Sequence, residues 1–475
     1  MMYKKTLGVE IHAQIDTETK LFSRALFDEH SEPNENVDFL DAGLPGTLPV
    51  PNENAIYMAM KTSLALNMQI NQISIFDRKH YFYQDLPLGY QITQFYKPIG
   101  VNGYLDCSFG RVRINRLHIE TDAGKSIYKD GKTFVDLNRA GVPLMEIVTE
   151  PDFHNEDQVV EFLKELRAIL LCIKTCKCDM EMGNLRADVN ISLAKDGDPL
   201  GTRAEIKNLN SFSSIRKAVQ FEATLQEKTL KAGQKVIQET KLFDPTNNTT
   251  KAMRNKEDAL DYEYFPDPDL LPVFIDQSKI DDCKNSLPKL PIAIRKELQL
   301  LGIAEEQSRT ITETMERYEF FAQLIQQLPE NLVVKASNWV CSELIGKLAK
   351  TDIELEDFLN RRKNFFDILY KVILKCESNE ITRVVAKEIL DKSILDEKDL
   401  DFNSLVEKNN LLQKDTIDIN FLIENLINNS PDEVSRFKKG KTSLLMWFVG
   451  QIMKETKGQV DPEVIKTSVL NLLNK

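Results

Sequence analysis

The chain has 475 residues, 42% of them hydrophobic and 28% charged, with a formal net charge of -12. That length predicts roughly two to four domains, and the composition is that of a soluble globular protein. The negative balance excludes a protein that coats nucleic acid by its overall charge, though it leaves room for a local basic patch.

No run of about 18 apolar residues occurs, so no membrane span is expected. The opening stretch MMYKKTLGVEIHAQ passes straight into strand-like sequence without the apolar core of a secretory signal. Seven Cys lack the spacing of a disulfide framework, which predicts a reducing, cytoplasmic setting. Cys172, Cys176 and Cys178 have no fourth ligand nearby for a closed zinc site and read as buried thiols.

Residues 1–150 read as strands and loops. TLGVEIHAQIDT alternates, with Leu7, Val9, Ile11, Ala13 and Ile15 on one face and Glu10, His12 and Gln14 on the other. The polar face is either a solvated edge or half of a site. LPGTLPVPNENA is a loop, and 55–68 has helical spacing. FDRKHYFYQDLPLGYQITQFYKPIG (76–100) sets Arg78, Lys79 and His80 against Tyr81, Phe82 and Tyr83. Basic residues among aromatics suit phosphate and a stacked base, or form an ordinary aromatic strand.

The stretch 118–152 carries the densest chemistry. His118, Glu120 and Asp122 share a strand face, as do Glu146 and Glu150. Carboxylates aligned this way repel one another unless a cation sits among them. The Glu10–His12 pair is matched by His118–Glu120, which raises the expectation of one shared site. DAGKS (122–126) and GKT (440–442) fail as phosphate loops, because Ile119 and Ser435 stand where that motif needs glycine.

Further on, 156–173 is an amphipathic helix and 180–193 a strand with Arg186, Asp188 and Asn190 on one face. GTRAEIK adds a strand carrying Glu205 and Lys207, followed by a long helix ending at Gly233. The segment from Asp244 to Asp276 is rich in Pro and Asp and is expected to be a loop at the edge of the first domain. From Pro291 the periodicity is helical to the end. Within 436–457, Arg436, Lys438, Lys439, Lys441, Lys454 and Lys457 face Glu455 alone, a local charge of +5. That is a phosphate-contacting patch or a solvated helix face.

GVEIHAQIDTETKLFS, PGTLPVPN, FDRKHYFYQDLPLGYQITQF, HIETDAGKS, DLNRAGVPLMEIVTEPD, GTRAEIKNLNSF, DYEYFPDPDLLP and GKTSLLMWFVGQIMKETKG, in that order, resemble the B subunit of the aspartyl/glutamyl-tRNA(Asn/Gln) amidotransferase. The resemblance implies an α+β fold in three parts. These are a cradle domain (1–290) with a mainly antiparallel sheet similar to glutamine synthetase and guanidino kinases, a helical domain (291–402) and a helical tRNA-binding tail (403–475). It also implies a reaction. Misacylated Glu-tRNA(Gln) or Asp-tRNA(Asn) is phosphorylated on its side-chain carboxylate with ATP and Mg2+, then amidated with ammonia from an amidase A subunit, a small C subunit bracing the two.

On this resemblance Glu10, His12, Glu120 and Glu146 would bind the metal. Glu10, Lys79, Arg186 and Lys207 would serve the reacting centre, Arg78 and Lys125 the nucleotide, and Lys438, Lys439, Lys441, Lys454 and Lys457 the tRNA. Three departures stand out. Thr121 replaces an acidic residue common in relatives. Ser23, Ala25, Asp38 and Asp41 occupy positions where some relatives have zinc-binding Cys, so no zinc is expected. Glu263 replaces a frequent Arg. A free-standing ligase using ammonium and a non-catalytic tRNA adapter are the competing readings.

Overall fold

The computed structural model of the protein describes residues 3–28, 30–253, 262–351, 353–395, 399–408, 419–456 and 462–473. The chain divides between Ala293 and Ile294 into two compact units.

In the first unit the alternating segment forms the strand Tyr3–Gln14 (β1). Leu7, Val9, Ile11 and Ala13 are all buried, so one face of the strand belongs to the core and the other is left for polar residues. The remaining strands are β2 (Gln69–Ile70), β3 (Ile73–His80), β4 (Tyr90–Lys97), β5 (Gly100–Cys107), β6 (Gly110–Thr121), β7 (Lys125–Lys129) and β8 (Lys132–Asp136). After them come β9 (Pro143–Thr149), β10 (Leu185–Lys195), β11 (Ala204–Leu209), β12 (Glu239–Asp244), β13 (Thr249–Ala252), β14 (Glu263–Pro266) and β15 (Val273–Phe274). Nine of them build one sheet in the order β13-β12-β11-β10-β1-β9-β6-β5-β2. Every neighbouring pair is antiparallel except β11–β12, which the helix between them makes parallel.

Three helices, α1 (Glu53–Ala65), α2 (Glu156–Cys172) and α3 (Phe212–Lys231), share the apolar core with the sheet. Each begins at a capping side chain. Asn52 accepts from Asn54 N and Ala55 N, Asn155 from Gln158 N, and Ser211 from Ser214 N. The architecture is therefore α+β, with helices on the apolar side of the large sheet.

The segment 244–276 corrects an expectation. Its described residues, 244–253 and 262–276, are not a plain loop, and 254–261 lie outside the described residues. β13 extends the large sheet through β12, while β14 and β15 pair antiparallel with β3 to form a second sheet with β4. Its Pro and Asp residues punctuate short strands rather than abolish them, because the aromatic run Tyr264–Phe265 supplies strand preference between them. Among the described strands, β7 and β8 pair with each other alone.

The second unit is helical throughout its described residues. Its buried side chains form two clusters, one from Ile294 to Val406 and one from Ile423 to Leu473. Among the described residues no helix is long and apolar enough to cross a membrane.

Candidate functional site

The register of the large sheet decides what its polar face displays. His12 pairs with Glu146 across β1–β9 and with Arg186 across β1–β10, and Glu146 pairs with His118 across β9–β6. Directly paired residues point to the same face, so His118, Glu146, His12 and Arg186 form one row. In the same way Glu10 lines up with Asp188, and Asn190 with Glu205.

The row closes into a compact cluster. His12 Nε2 lies 3.5 Å from Glu120 Oε1 and 3.6 Å from Glu146 Oε2. His118 Nε2 lies 3.5 Å from Glu120 Oε2 and 3.3 Å from Glu146 Oε2. Thr93 Oγ1 donates to Glu120 Oε2 at 3.3 Å. Burial pulls the His12 pKa down, but the two carboxylates outweigh it and hold the imidazole at about 10. His118 is held at about 9 by the same balance. Burial raises the Glu120 and Glu146 carboxyls, and the two imidazoles more than reverse it, leaving both well below the usual range. The two imidazolium groups thus supply the positive charge that the paired carboxylates call for.

Among the described residues, ligating atoms of His12, Glu120 and Glu146 lie within 4.8 Å of one another. Two carboxylates and an imidazole that has given up its proton fit a divalent cation that accepts oxygen and nitrogen. Glu10 stands two residues along the same face, but it is not in that group. Its Oε1 accepts from Asn190 Nδ2 at 2.9 Å. Burial, then Glu146 and Glu205, raise its pKa against the pull of Lys207.

Cations ring the cluster. Lys79 is lowered by burial but raised overall by Glu120, Tyr264 and Glu146, and its Nζ lies 4.7 Å from the Tyr262 ring centre. Lys207 Nζ bridges Asp188 (2.6 Å) and Glu205 (2.8 Å). Arg186 Nη2 pairs with Asp122 Oδ2 at 2.7 Å. Arg78 is placed differently. Adjacent to Lys79, it points to the other side of β3, where Nε meets Asp267 and Nη2 meets Asp269, each at 2.8 Å. Lys125 is exposed on the β7–β8 hairpin. The glycine beside it serves packing: a Cβ on Gly124 would stand 2.9 Å from Asp136 O.

A cleft of about 490 Å³ opens on the same face beside Glu10, lined among others by Asn190, Ser192, Gly201, Thr202 and Arg203. Gly201 is required there, since a Cβ would fall 2.1 Å from Leu193 O. No local spacing records this cleft, which forms only when β1, β9 and β10 come together. His118, absent from the metal set that the resemblance implies, meets both Glu120 and Glu146.

Residues 5–281 match the family model described as the GatB/GatE catalytic domain, and 319–473 match the GatB domain. The chain belongs to the GatB family. It is 43% identical to the B subunit of the aspartyl/glutamyl-tRNA(Asn/Gln) amidotransferase of Wolbachia pipientis subsp. Culex pipiens, over 98% of this chain and 97% of the relative. It is 42% identical to the corresponding protein of Rickettsia felis, over 97% and 95% of the two chains. That of Rickettsia bellii is likewise 42% identical, over 98% and 96%. The GatB/GatE catalytic match thus spans both the carboxylate–imidazole cluster and the cleft.

Of the tail lysines, Lys438, Lys439 and Lys441 are exposed at and just beyond the end of the helix Pro431–Lys438. Lys454 is exposed on the helix Leu444–Glu455. Lys457 lies outside the described residues.

Proposed function

We propose that this chain is the B subunit of a glutamine-dependent ligase that converts Glu-tRNA(Gln) to Gln-tRNA(Gln), Asp-tRNA(Asn) to Asn-tRNA(Asn), or both. The observation that carries the reading is the His12–Glu120–Glu146 group on the sheet face, beside a nucleotide-sized cleft. A large antiparallel sheet with helices on one side and a charged site on the other supports a cradle of the glutamine synthetase and guanidino kinase kind.

The chemistry follows from the substrate. Ammonia does not displace an oxygen from a carboxylate, because oxide is no leaving group. One oxygen of the side-chain carboxylate attacks the γ-phosphorus of ATP and ADP departs, leaving an acyl phosphate. Ammonia then attacks the carbonyl carbon, inorganic phosphate leaves, and the nitrogen loses a proton. Phosphoryl transfer demands alignment and charge neutralisation above all. Mg2+ held by His12, Glu120 and Glu146 would supply that neutralisation. The cleft beside Glu10 would seat the nucleotide, with Arg203 at its phosphates. Lys79 keeps its charge beside the cluster and would meet the transferring group. Arg186 and Lys207, fixed by Asp122 and by Asp188 with Glu205, hold the wall of the site in register. The ammonia would come from an amidase A subunit, with a small C subunit completing the assembly.

The test is direct. The assembled complex is supplied with Glu-tRNA(Gln) or Asp-tRNA(Asn), Mg2+, labelled ATP and glutamine. ATP turnover should require the charged tRNA, and amide should form from glutamine only when the amidase is present. Turnover that ignores the tRNA overturns the reading.

The tail makes a separate prediction. Replacing exposed Lys438, Lys439 and Lys441 together with Ala removes up to three phosphate contacts. The slope of log affinity for tRNA against log salt should then flatten by roughly two to three units, with affinity falling about evenly across tRNAs. An unchanged slope would show the patch to be solvated only.

A further inference from the structure

We infer that the aromatic face of the second sheet is a stacking platform for the unpaired 3′ end of the charged tRNA, set against the side of the cluster opposite the nucleotide cleft. This rests on the amidotransferase reading, and it begins with a bulge. Between Ile75 and Asp77 the β3–β4 register shifts. The backbone N–H groups of Phe95 and Tyr96 both turn to the buried carboxylate of Asp77, donating to Oδ2 at 2.7 and 3.1 Å. A bulge sets two residues opposite one and re-aims side chains that a regular strand would alternate. Two consecutive aromatics thereby reach the surface, Phe95 at 50% and Tyr96 at 55% exposure. Phe95 lies face to face with Tyr264 at 4.3 Å and 20°, and Tyr96 Oη donates to Tyr264 O.

The inner end of this surface is the reacting centre itself. Tyr264 pairs with Lys79 across β14–β3 and so shares its face. Lys79 feels the charge of Glu120 and Glu146. Thr93, two residues before Phe95, donates to Glu120. Phe95 and Tyr96, with Tyr264 stacked on Phe95, make a contiguous aromatic patch of the kind that marks a binding surface.

The substrate's own chemistry selects what covers them. Its reacting carboxylate hangs from the ribose of the last nucleotide, so the terminal base must lie within a few bonds' reach of the cluster. That base is unpaired. Proteins grip unpaired bases by stacking them on aromatic rings, with a cation for the backbone. The platform offers the rings, Phe95 and Tyr264, where the terminal base has to be, with Lys79 between them and the transferring group.

The experiment uses the assembled complex and charged tRNA carrying 2-aminopurine as its terminal base. Binding should quench the probe, as stacking on an aromatic does. Phe95→Leu with Tyr264→Leu should lose the quench and raise the KM for charged tRNA about tenfold. The KM for ATP and glutamine hydrolysis by the amidase should stay unchanged. Phe95→Tyr with Tyr264→Phe keeps the rings and should keep both quench and KM. Leu variants that retain the quench and the tRNA KM overturn the platform. So do Leu variants that lose the other subunits while still binding charged tRNA as tightly as before, which would make this face a protein interface. A failure of the parent reading is distinct: the unaltered complex then shows no tRNA-dependent ATP turnover, whatever the quench.

Discussion

Glu146→Gln should reduce charged-tRNA-dependent ATP turnover by on the order of 10³-fold, with the fold retained and the glutaminase activity of the amidase partner intact. Glu146 is the centre of its row, flanked by His12 on one strand and His118 on the other. Its carboxylate is buried and faces both imidazoles. Gln preserves size and one acceptor oxygen but removes the charge that makes the pocket attract a cation. Charge stabilisation by a bound cation is worth several kcal/mol at the transition state, and about 1.4 kcal/mol is tenfold in rate. Only kcat-type loss with parallel loss of metal dependence fits this account. A variant with near-normal turnover at ordinary Mg2+ would remove Glu146 from the site.

The site's composition was readable because strand periodicity is simple. Glu10 and His12, then His118 and Glu120, each lie two residues apart, and that spacing alone fixes a common face. What spacing could not supply was register. Whether His12 meets Glu146 depends on β1 pairing with β9 rather than β6, a choice made by long-range packing that no local pattern records. Hence Glu10 looked equal to its neighbours, while the fold gives it to Asn190 and the cleft. Arg78 was misleading for a related reason. Next to Lys79 in sequence, it lies on the opposite strand face, and its partners Asp267 and Asp269 come from a segment nearly two hundred residues away. The same segment looked like loop because Pro and Asp interrupt it, although three short strands survive between them.

The largest stability effect is expected outside the carboxylate cluster, at Asp41→Ala. Lys20 is fully buried, its Nζ 3.0 Å from Asp41 Oδ2 and 3.2 Å from Leu137 O. Asp41 Oδ2 also accepts from Ser23 Oγ at 3.1 Å and Asp38 N at 3.0 Å. One carboxylate thus ties the segment of Lys20 and Ser23 to that of Asp38, and Lys20 carries the link on to Leu137. Removing it strands a buried ammonium and two donors, and breaking such a pair costs about 3–5 kcal/mol. Replacing both partners, Lys20→Met with Asp41→Leu, should recover part of this, since only the donors of Ser23 and Asp38 are then left unpaired. The pH dependence has a definite sign. Burial outweighs Asp41 and lowers the Lys20 pKa in the folded chain. Between that value and the ordinary one the unfolded chain holds more protons, so this lysine's contribution to stability rises with pH. Without Asp41 the folded pKa drops further, and the deficit of the Ala variant should shrink as the medium becomes alkaline and Lys20 goes neutral. Calorimetry of the first unit at neutral and alkaline pH is the measurement, because both Trp residues, Trp339 and Trp447, lie in the second unit and their fluorescence would miss the transition. A deficit below about 1 kcal/mol, the worth of an exposed pair, would mean that water reaches Lys20.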